Sequence, residues 1–231
     1  MQLSELNLKQ FVSIDVETTG LDKSTDKIIE IAAVRFVDGL PVEKYSELIN
    51  PKQKISNFIT KLTGINDDML IDKPIFKDIE NSFLNFIDDD PIIGHNVKFD
   101  LDFLNNSIGS INNKIKNKYI CDTYYLARIF LYNFSSYKLT SLCSELNIEI
   151  NHAHRALEDA KNAGFLFVNI INNIVNINHE CLLAFKNYSI NYFGVNTLLF
   201  KYICNYNFEN KSNNNIKNSN YFYEFIPDKK N

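Results

Sequence analysis

The sequence predicts an α/β fold in which a mixed central sheet of about five strands is flanked by helices. Two observations lead to this prediction. Three strand patterns follow one another before residue 50, and helical patterns alternate with two short strand patterns after residue 75. The chain of 231 residues is long enough for one domain with an appendage or for two small domains, and its 45% of hydrophobic residues excludes wholesale disorder.

The first three predicted strands form an antiparallel start to the sheet. Phe11 to Asp15 is an apolar run that ends on an acidic residue, and Lys27 to Val37 is a longer run rich in Ile, Val and Ala. Asp38-Gly39 then indicates a hairpin turn, so Lys44 to Ile49 would be the returning strand. Asn50-Pro51 closes that strand.

The rest of the predicted domain alternates helices and short strands. Apolar residues recur at helical spacing from Ile75 to Ile87. Asp122 or Thr123 is placed to cap a helix from Tyr124 to Phe130. The remaining patterns are a strand at Pro91 to Gly94, a helix start at Phe99 to Leu104, a strand at Tyr119 to Cys121, and helices at Leu139 to Leu146 and Ala156 to Ile171.

We divide the chain into three parts. Residues 1–178 hold the predicted layered domain, and residues 179–204 form a helical extension. Residues 205–231 form an Asn-rich flexible tail that ends in an aromatic patch at 221–226. The extension could pack on the domain, or it could act with the tail to dock a partner. The sequence leaves both readings open.

The composition limits the cellular compartment and the binding partners that we expect for this protein. A net charge of -4 disfavours a basic protein that coats nucleic acid without discrimination. We find no run of about 18 apolar residues and no secretory signal pattern, so we expect no membrane partner. The cysteines are widely spaced, which favours reduced thiols and a cytoplasmic protein. They are Cys121, Cys143, Cys181 and Cys204.

The first candidate site is the segment Asp15-Val16-Glu17-Thr18-Thr19-Gly20. Residues two apart on a strand point to the same face, so the two carboxylates project together. Carboxylates held side by side repel each other, and a divalent cation relieves that repulsion. Taken alone, the pair could also be two incidental acids at the end of a surface strand.

The second candidate segment is Gly94-His95-Asn96-Val97-Lys98-Phe99-Asp100, where a strand runs into a helix. Asp100 lies in the first helical turn, where the helix dipole favours an acid whether or not it binds a ligand. We expect His95 to be a hydrogen-bonded structural histidine.

The third candidate segment runs from His152 to Ala160. If the helix begins near Ala156, Asp159 lies inside it on one face, and His154 lies in the preceding loop. Glu158 points about 100° away from Asp159, so we expect it to be solvated.

Together these segments resemble the DEDDh branch of the DnaQ-like 3′–5′ exonucleases, the proofreading exonuclease family of bacterial DNA polymerase III. The resemblance covers about Lys9 to Val168. It includes phrases outside the acidic motifs: Phe11 to Leu21, Ile28-Ile29-Glu30-Ile31, Leu48-Ile49-Asn50-Pro51, Leu62-Thr63-Gly64-Ile65, Asp122-Thr123 and His154-Arg155-Ala156-Leu157. It implies a ribonuclease H-like fold.

The resemblance also implies roles for individual residues. It makes His154 the general base, with His152 as the competing candidate that the family spacing disfavours. It makes two divalent cations, Mg²⁺ or Mn²⁺, the cofactors, held by Asp15, Glu17, Asp100 and Asp159. It places Thr18, Leu21, Asn96 and Phe99 beside the terminal nucleotide as substrate-binding residues, although core packing is nearly as good an account of Leu21 and Phe99.

The implied activity is release of nucleoside 5′-monophosphates from DNA with a free 3′ end, in replication proofreading or repair. The C-terminal region would then engage the catalytic subunit of DNA polymerase III. One alternative is an RNA-trimming enzyme similar to ribonuclease T or oligoribonuclease, although oligoribonucleases usually carry Met where this chain has Thr18. The other alternative is a non-catalytic binding module of the same fold.

Overall fold

A computed structural model describes residues 3–108, 115, 119–150, 154–174 and 199 of the chain. A five-stranded sheet with the order β3-β2-β1-β4-β5 lies at its centre. The strands are β1 (Gln10–Thr18), β2 (Ile28–Val37), β3 (Leu40–Leu48), β4 (Ile92–Gly94) and β5 (Ile120–Asp122). The first three strands pair antiparallel, and β4 pairs parallel with both β1 and β5. The predicted mixed sheet is confirmed.

The antiparallel strands are longer than their apolar runs. β1 continues three residues past Asp15, to Thr18, because its last residues still pair with β2. β3 starts at Leu40, directly after a tight turn in which Asp38 and Gly39 both have positive φ angles of 50° and 83°. The exposed outer strand β3 lacks the apolar signal that marks the buried strand β2.

The helices surround the sheet in the order that the sequence predicts, with two additions. The predicted ones are α3 (Phe76–Ile87), α4 (Lys98–Ser107), α5 (Thr123–Phe130), α6 (Leu139–Glu145) and α7 (Ala156–Ile174). Asp122 caps α5, since its side chain accepts a hydrogen bond from the Tyr124 amide. The additions are the short helices α1 (Asn57–Thr63) and α2 (Asp67–Leu70), besides a 3₁₀ turn at Leu3–Leu6.

Helix α7 covers one face of the sheet. The ring of Phe11 on β1 stacks on Phe36 of β2 at 5.0 Å and meets Phe167 of α7 edge-on at 5.4 Å. Gly164 lets the helix approach closely, because a Cβ atom there would lie 2.3 Å from the Phe36 ring. Leu199, which falls in the predicted helical extension, is fully buried in this same core. At least this residue of the extension therefore packs on the domain.

The opposite face of the sheet packs against α3 and α4 through a second core, which includes Val12, Ile14 and Val16 of β1. A smaller cluster around Ile29 lies beneath α1 and α2. Residues of odd number on β1, starting with Phe11, therefore face α7. No helix in the described part of the chain is long and apolar enough to cross a bilayer.

Candidate active site

The carboxylates of Asp15 and Glu17 lie on the face of β1 that looks toward α7. Both side chains are half-buried, whereas the intervening Val16 is buried in the opposite core. Strand β2 supports this end of β1, with Glu30 directly opposite Glu17 in the antiparallel register. The alternation of a half-buried strand thus presents two acids to one helix, as the sequence predicts.

Asp159 completes an acidic group with this pair. It lies in the first turns of α7, and the helix begins beside the C-terminal end of β1. Asp15, Glu17 and Asp159 each offer a carboxylate oxygen, and these three atoms lie within 4.8 Å of one another. Among the described residues, this is the group of acids, histidines and cysteines that could hold a metal ion.

Asp100 approaches the same strand from its β4 edge. Strand β4 pairs with β1 at Val12 and Ser13 and ends at Gly94. Beyond that pairing the Val16 amide donates a hydrogen bond to Oδ1 of Asp100, at 2.9 Å. The buried Asp100, in the first turn of α4, therefore takes the place of a strand carbonyl and adjoins the two acids of β1.

The clustered acids hold protons more tightly than isolated carboxyls do. Burial raises the pKa of Glu17 to about 8, and the charges of Asp159 and Glu30 contribute to the rise. Burial also raises the pKa of Asp15 well above its usual range, with Asp100 and Asp159 as the next causes. Bringing these groups to the ionised state at neutral pH thus requires a compensating positive charge.

The pKa values of the other two acids shift in the same direction. Burial is the main cause for Asp100, opposed by the hydrogen bond from Val16. Burial is also the main cause for Asp159, opposed by the hydrogen bond from the His154 amide. A donor set made only of carboxylate oxygens suits a hard divalent cation such as Mg²⁺ or Mn²⁺. The residues present therefore fit the cofactor that the resemblance implies.

His154 stands at the rim of this group. It is exposed, lies directly before the Arg155–α7 junction, and has a φ of 61° in the left-handed region. Its amide donates a 2.9 Å hydrogen bond to Oδ2 of Asp159, which fixes this unusual backbone conformation. The competing candidate, His152, lies outside the described residues.

Two of the predicted substrate-binding residues lie in the turn that follows β1. The hydroxyl of Thr18 is buried and donates to the carbonyl of Gly20 at 2.5 Å, so it shapes the turn itself. Leu21 is 85% exposed, an unusual position for a leucine. Core packing is therefore ruled out for Leu21, and a role in contacting a ligand stays a prediction.

The other two predicted substrate-binding residues lie around the start of α4. Phe99 is half-buried and packs 4.8 Å from the ring of Phe103. Both phenylalanines line a groove with Leu21, Asp22, Lys23 and Asp102, so the structure brings Leu21 and Phe99 together. Asn96 is exposed and has a φ of 61°. Its backbone amide donates a hydrogen bond to Oδ1 of Asp122. It is not among the residues that line this groove.

Sequence reasoning gave no role to an ion pair beside the acids. The carboxylate of Glu30, which is 1% exposed, accepts hydrogen bonds from the guanidinium of Arg155 and from the Ala156 amide. The signal was a single acid inside the apolar run of β2. A buried carboxylate needs a charged or hydrogen-bonding partner, and this could have prompted a search for one.

Two further expectations have clear outcomes. His95 is a structural histidine, as expected, since its ring nitrogens contact the Thr123 hydroxyl and the Tyr137 carbonyl. Burial lowers the pKa of His95 to about 4, so the ring is neutral at physiological pH. The expectation for Glu158 was wrong. Its side chain is only 23% exposed and lies 3.9 Å from Lys161, because the first turns of α7 are packed on more than one side.

Comparisons with known proteins show the family and the fold of this chain. The model of the RNase T family, described as exonuclease, matches residues 12–167. A PolC-type DNA polymerase III of Bacillus subtilis is 38% identical over 168 residues, which are 72% of this chain and 12% of that protein. The 3′–5′ exonuclease DinG of the same organism is 34% identical over 203 residues, 87% of this chain and 22% of that protein. The chain thus spans a small part of these relatives.

Solved structures give the same picture. Exonuclease X in complex with 5′ overhanging duplex DNA is 27% identical, with a TM-score of 0.57 over 70% of this chain and 91% of that one. The nuclease domain of 3′hExo, a DEDDh family member bound to rAMP, is 17% identical, with a TM-score of 0.59 over 71% of this chain and 92% of that one. The second likeness concerns the fold alone, which is the ribonuclease H-like exonuclease fold.

Proposed function

Since this chain belongs to the RNase T exonuclease family and carries a DnaQ-like DEDDh 3′–5′ exonuclease domain, we propose that it removes nucleotides from the 3′ ends of DNA. The observation that carries the proposal is the group formed by Asp15, Glu17 and Asp159, with Asp100 and His154 beside it. A merely binding relative would have no need for so costly a concentration of buried and half-buried acids.

The four acids would be the metal ligands. Two divalent cations, Mg²⁺ or Mn²⁺, would offset the carboxylate charge and stabilise the attacking and departing oxygens of the scissile phosphate. Asp15 and Glu17 would bind from β1, Asp159 from α7 and Asp100 from α4. Their fixed positions on three separate elements would hold the cations, and through them the reacting phosphate, in a rigid frame.

His154 would act as the general base. An exposed imidazole beside the acid cluster can take a proton from the attacking water and pass it to solvent. The attack breaks the bond between the phosphorus and the 3′ oxygen of the preceding nucleotide. The product is a nucleoside 5′-monophosphate, and the strand keeps a free 3′-hydroxyl.

The terminal nucleotide would lie in the groove beside Leu21 and Phe99, with the turn after Thr18 against its sugar and Asn96 at the margin. DNA is supported by two of the similar proteins, a DNA polymerase and an exonuclease in complex with DNA. RNA trimming is the second candidate function. Oligoribonucleases usually carry Met where this chain has Thr18, so an oligoribonuclease-like enzyme is the less favoured form of it.

A substrate panel tests this proposal. Single-stranded DNA, a duplex with a mismatched 3′ end and RNA of the same sequence, each labelled at the 3′ end, are incubated with Mg²⁺. We expect labelled 5′-monophosphate from the first two at rates well above that from RNA. Asp15→Asn serves as the matched control, since it keeps the size of the side chain and removes its charge. A faster rate on RNA would favour the alternative, and no release from any strand would support the non-catalytic module.

We propose a role in replication proofreading or repair in the cytoplasm, with the C-terminal region engaging a polymerase catalytic subunit. Apart from Leu199, residues 175–231 lie outside the described residues. Because Leu199 is part of the core, we expect residues 205–231 to carry any docking. Removal of residues 205–231 should therefore keep nuclease activity and abolish binding to the purified polymerase subunit.

A further inference from the structure

The buried carboxylate of Glu30 forms an ion pair with the partly exposed side chain of Arg155 at the point where the loop carrying His154 meets helix α7. Nη2 of Arg155 lies 2.8 Å from Oε1 of Glu30, and Nε lies 3.2 Å from Oε2. The same Oε2 accepts the Ala156 amide at 3.0 Å. One carboxylate thus holds both the side chain of Arg155 and the first amide of α7.

We propose that Glu30 and Arg155 are positioning residues that set His154 against the acid group. The proposal rests on the proposed function, because it concerns how the base of that reaction is held. Arg155 directly follows His154 in the chain. The amide of His154 is bonded to Asp159, and the residues after it are bonded to Glu30, so the left-handed His154 backbone is fixed at both ends.

The position of Glu30 on β2 gives the pair its effect at the site. Glu30 lies directly opposite Glu17, and facing side chains of paired strands lie on the same side of the sheet about 5 Å apart. The Arg155 side chain therefore contacts the sheet beside Glu17, one of the proposed metal ligands. Through these bonds, the strand that supports Glu17 also fixes the loop that carries His154.

A contact that only attached α7 to the sheet would not need an ion pair. An additional negative charge beside repelling acids is unfavourable, and an apolar contact would hold the helix start at least as well. The Arg155 guanidinium offsets the charge of Glu30, and its planar fork sets a defined orientation that an ammonium group does not. The ion pair therefore orients the start of α7 relative to the sheet as well as attaching it there.

The chain offers a matched control on the same strand. Arg35 of β2 lies five residues along from Glu30 and pairs with Glu43 at 2.9 Å, and also with Asp90. It lies on the face of β2 away from α7, since Ala33 of the same parity packs in the opposite core. Arg35→Lys removes the same fork without touching the site.

A double-mutant cycle on kcat tests the proposal. We expect Arg155→Lys to lower kcat about 10- to 100-fold at saturating Mg²⁺ and DNA, since small displacements of a catalytic group have effects of this size, while KM changes less than about twofold. In the His154→Ala background the same substitution should lower kcat by less than about threefold. Arg35→Lys should leave kcat unchanged in both backgrounds.

Amide hydrogen exchange gives a readout that does not depend on activity. Glu30→Gln should speed exchange at Ala156 and His154 in the metal-free protein, and Arg35→Lys should not. Equal losses of kcat in both backgrounds, or unchanged exchange at Ala156 and His154, would overturn the positioning role alone. A wild type without nuclease activity would refute the proposed function and this inference with it.

Discussion

Replacing Glu17 with Gln should make the metal-free protein more stable at alkaline pH. Burial and the charges of Asp159 and Glu30 raise the pKa of Glu17 from 4.5 to about 8. Between these two values the folded chain keeps a proton on Glu17 that the unfolded chain has lost. The free energy of unfolding of the wild type therefore falls as pH rises through this window, by up to about 1.4 kcal/mol per pH unit.

The size of the effect follows from the two pKa values. Integrating the linkage from pH 5 to pH 8 gives a loss of about 3–4 kcal/mol from Glu17 in the wild type. Glu17→Gln has no such group, so the variant should gain that much relative to the wild type over the same range. The comparison cancels the titrating groups, such as His95, that do not interact with Glu17. The Glu17 charge also raises the pKa of Asp15, so its removal lowers that pKa and adds to the gain of the variant.

Urea unfolding in EDTA, followed by circular dichroism from pH 5 to pH 9, measures the difference. Added Mg²⁺ should reverse it, because the cation binds the folded wild type and the variant has lost a ligand. If the difference in free energy of unfolding between the two proteins stayed constant across the pH range, the raised pKa of Glu17 would be refuted. Equal stabilisation of both proteins by Mg²⁺ would refute its role as a ligand.

Three further predictions address the base and the packing. His154→Ala should lower kcat about 10²- to 10⁴-fold, as expected for loss of a general base, yet keep Mn²⁺ affinity in calorimetry; His152→Ala should change kcat far less. Gly164→Ala should destabilise the fold by about 1–3 kcal/mol in urea, because its Cβ would meet the Phe36 ring at 2.3 Å. Leu199→Ala should cost about 2–5 kcal/mol in the same assay, and an unchanged midpoint would contradict its place in the core.

The features that follow from local periodicity could be predicted from the sequence. Asp15 and Glu17 share a face because strand side chains alternate, and Asp159 faces them because the apolar residues of α7 fix its rotation. The antiparallel start was predicted from the Asp38-Gly39 turn, whose positive φ angles the structure confirms. Because local geometry determines these features, they can be predicted from a single sequence.

The short helices α1 and α2 were missed because an amphipathic period needs more residues than they contain. Their capping signals were present. Ser56 caps α1 by accepting the Ile59 amide, Gly64 ends it with a φ of 75°, and Asn66 caps α2 through Met69. Caps are as informative as periodicity for a helix of one or two turns.

Contacts between distant segments could not be derived from the sequence. The bond from the Val16 amide to Asp100 depends on where β4 ends, which the apolar pattern does not fix. The pairing of Glu30 with Arg155 joins residues 125 positions apart. Both require the register between strands and helices, and this arises only when the whole domain packs.

Anomalous diffraction from crystals grown at pH 8 with Mn²⁺ tests the central claim most directly. The account predicts Mn²⁺ peaks bounded by carboxylate oxygens of Asp15, Glu17 and Asp159, with Asp100 at the β4 side, and the loss of these peaks in Asp159→Asn. An enzyme that releases nucleotides with Mn²⁺ but shows no peak at these residues would contradict it.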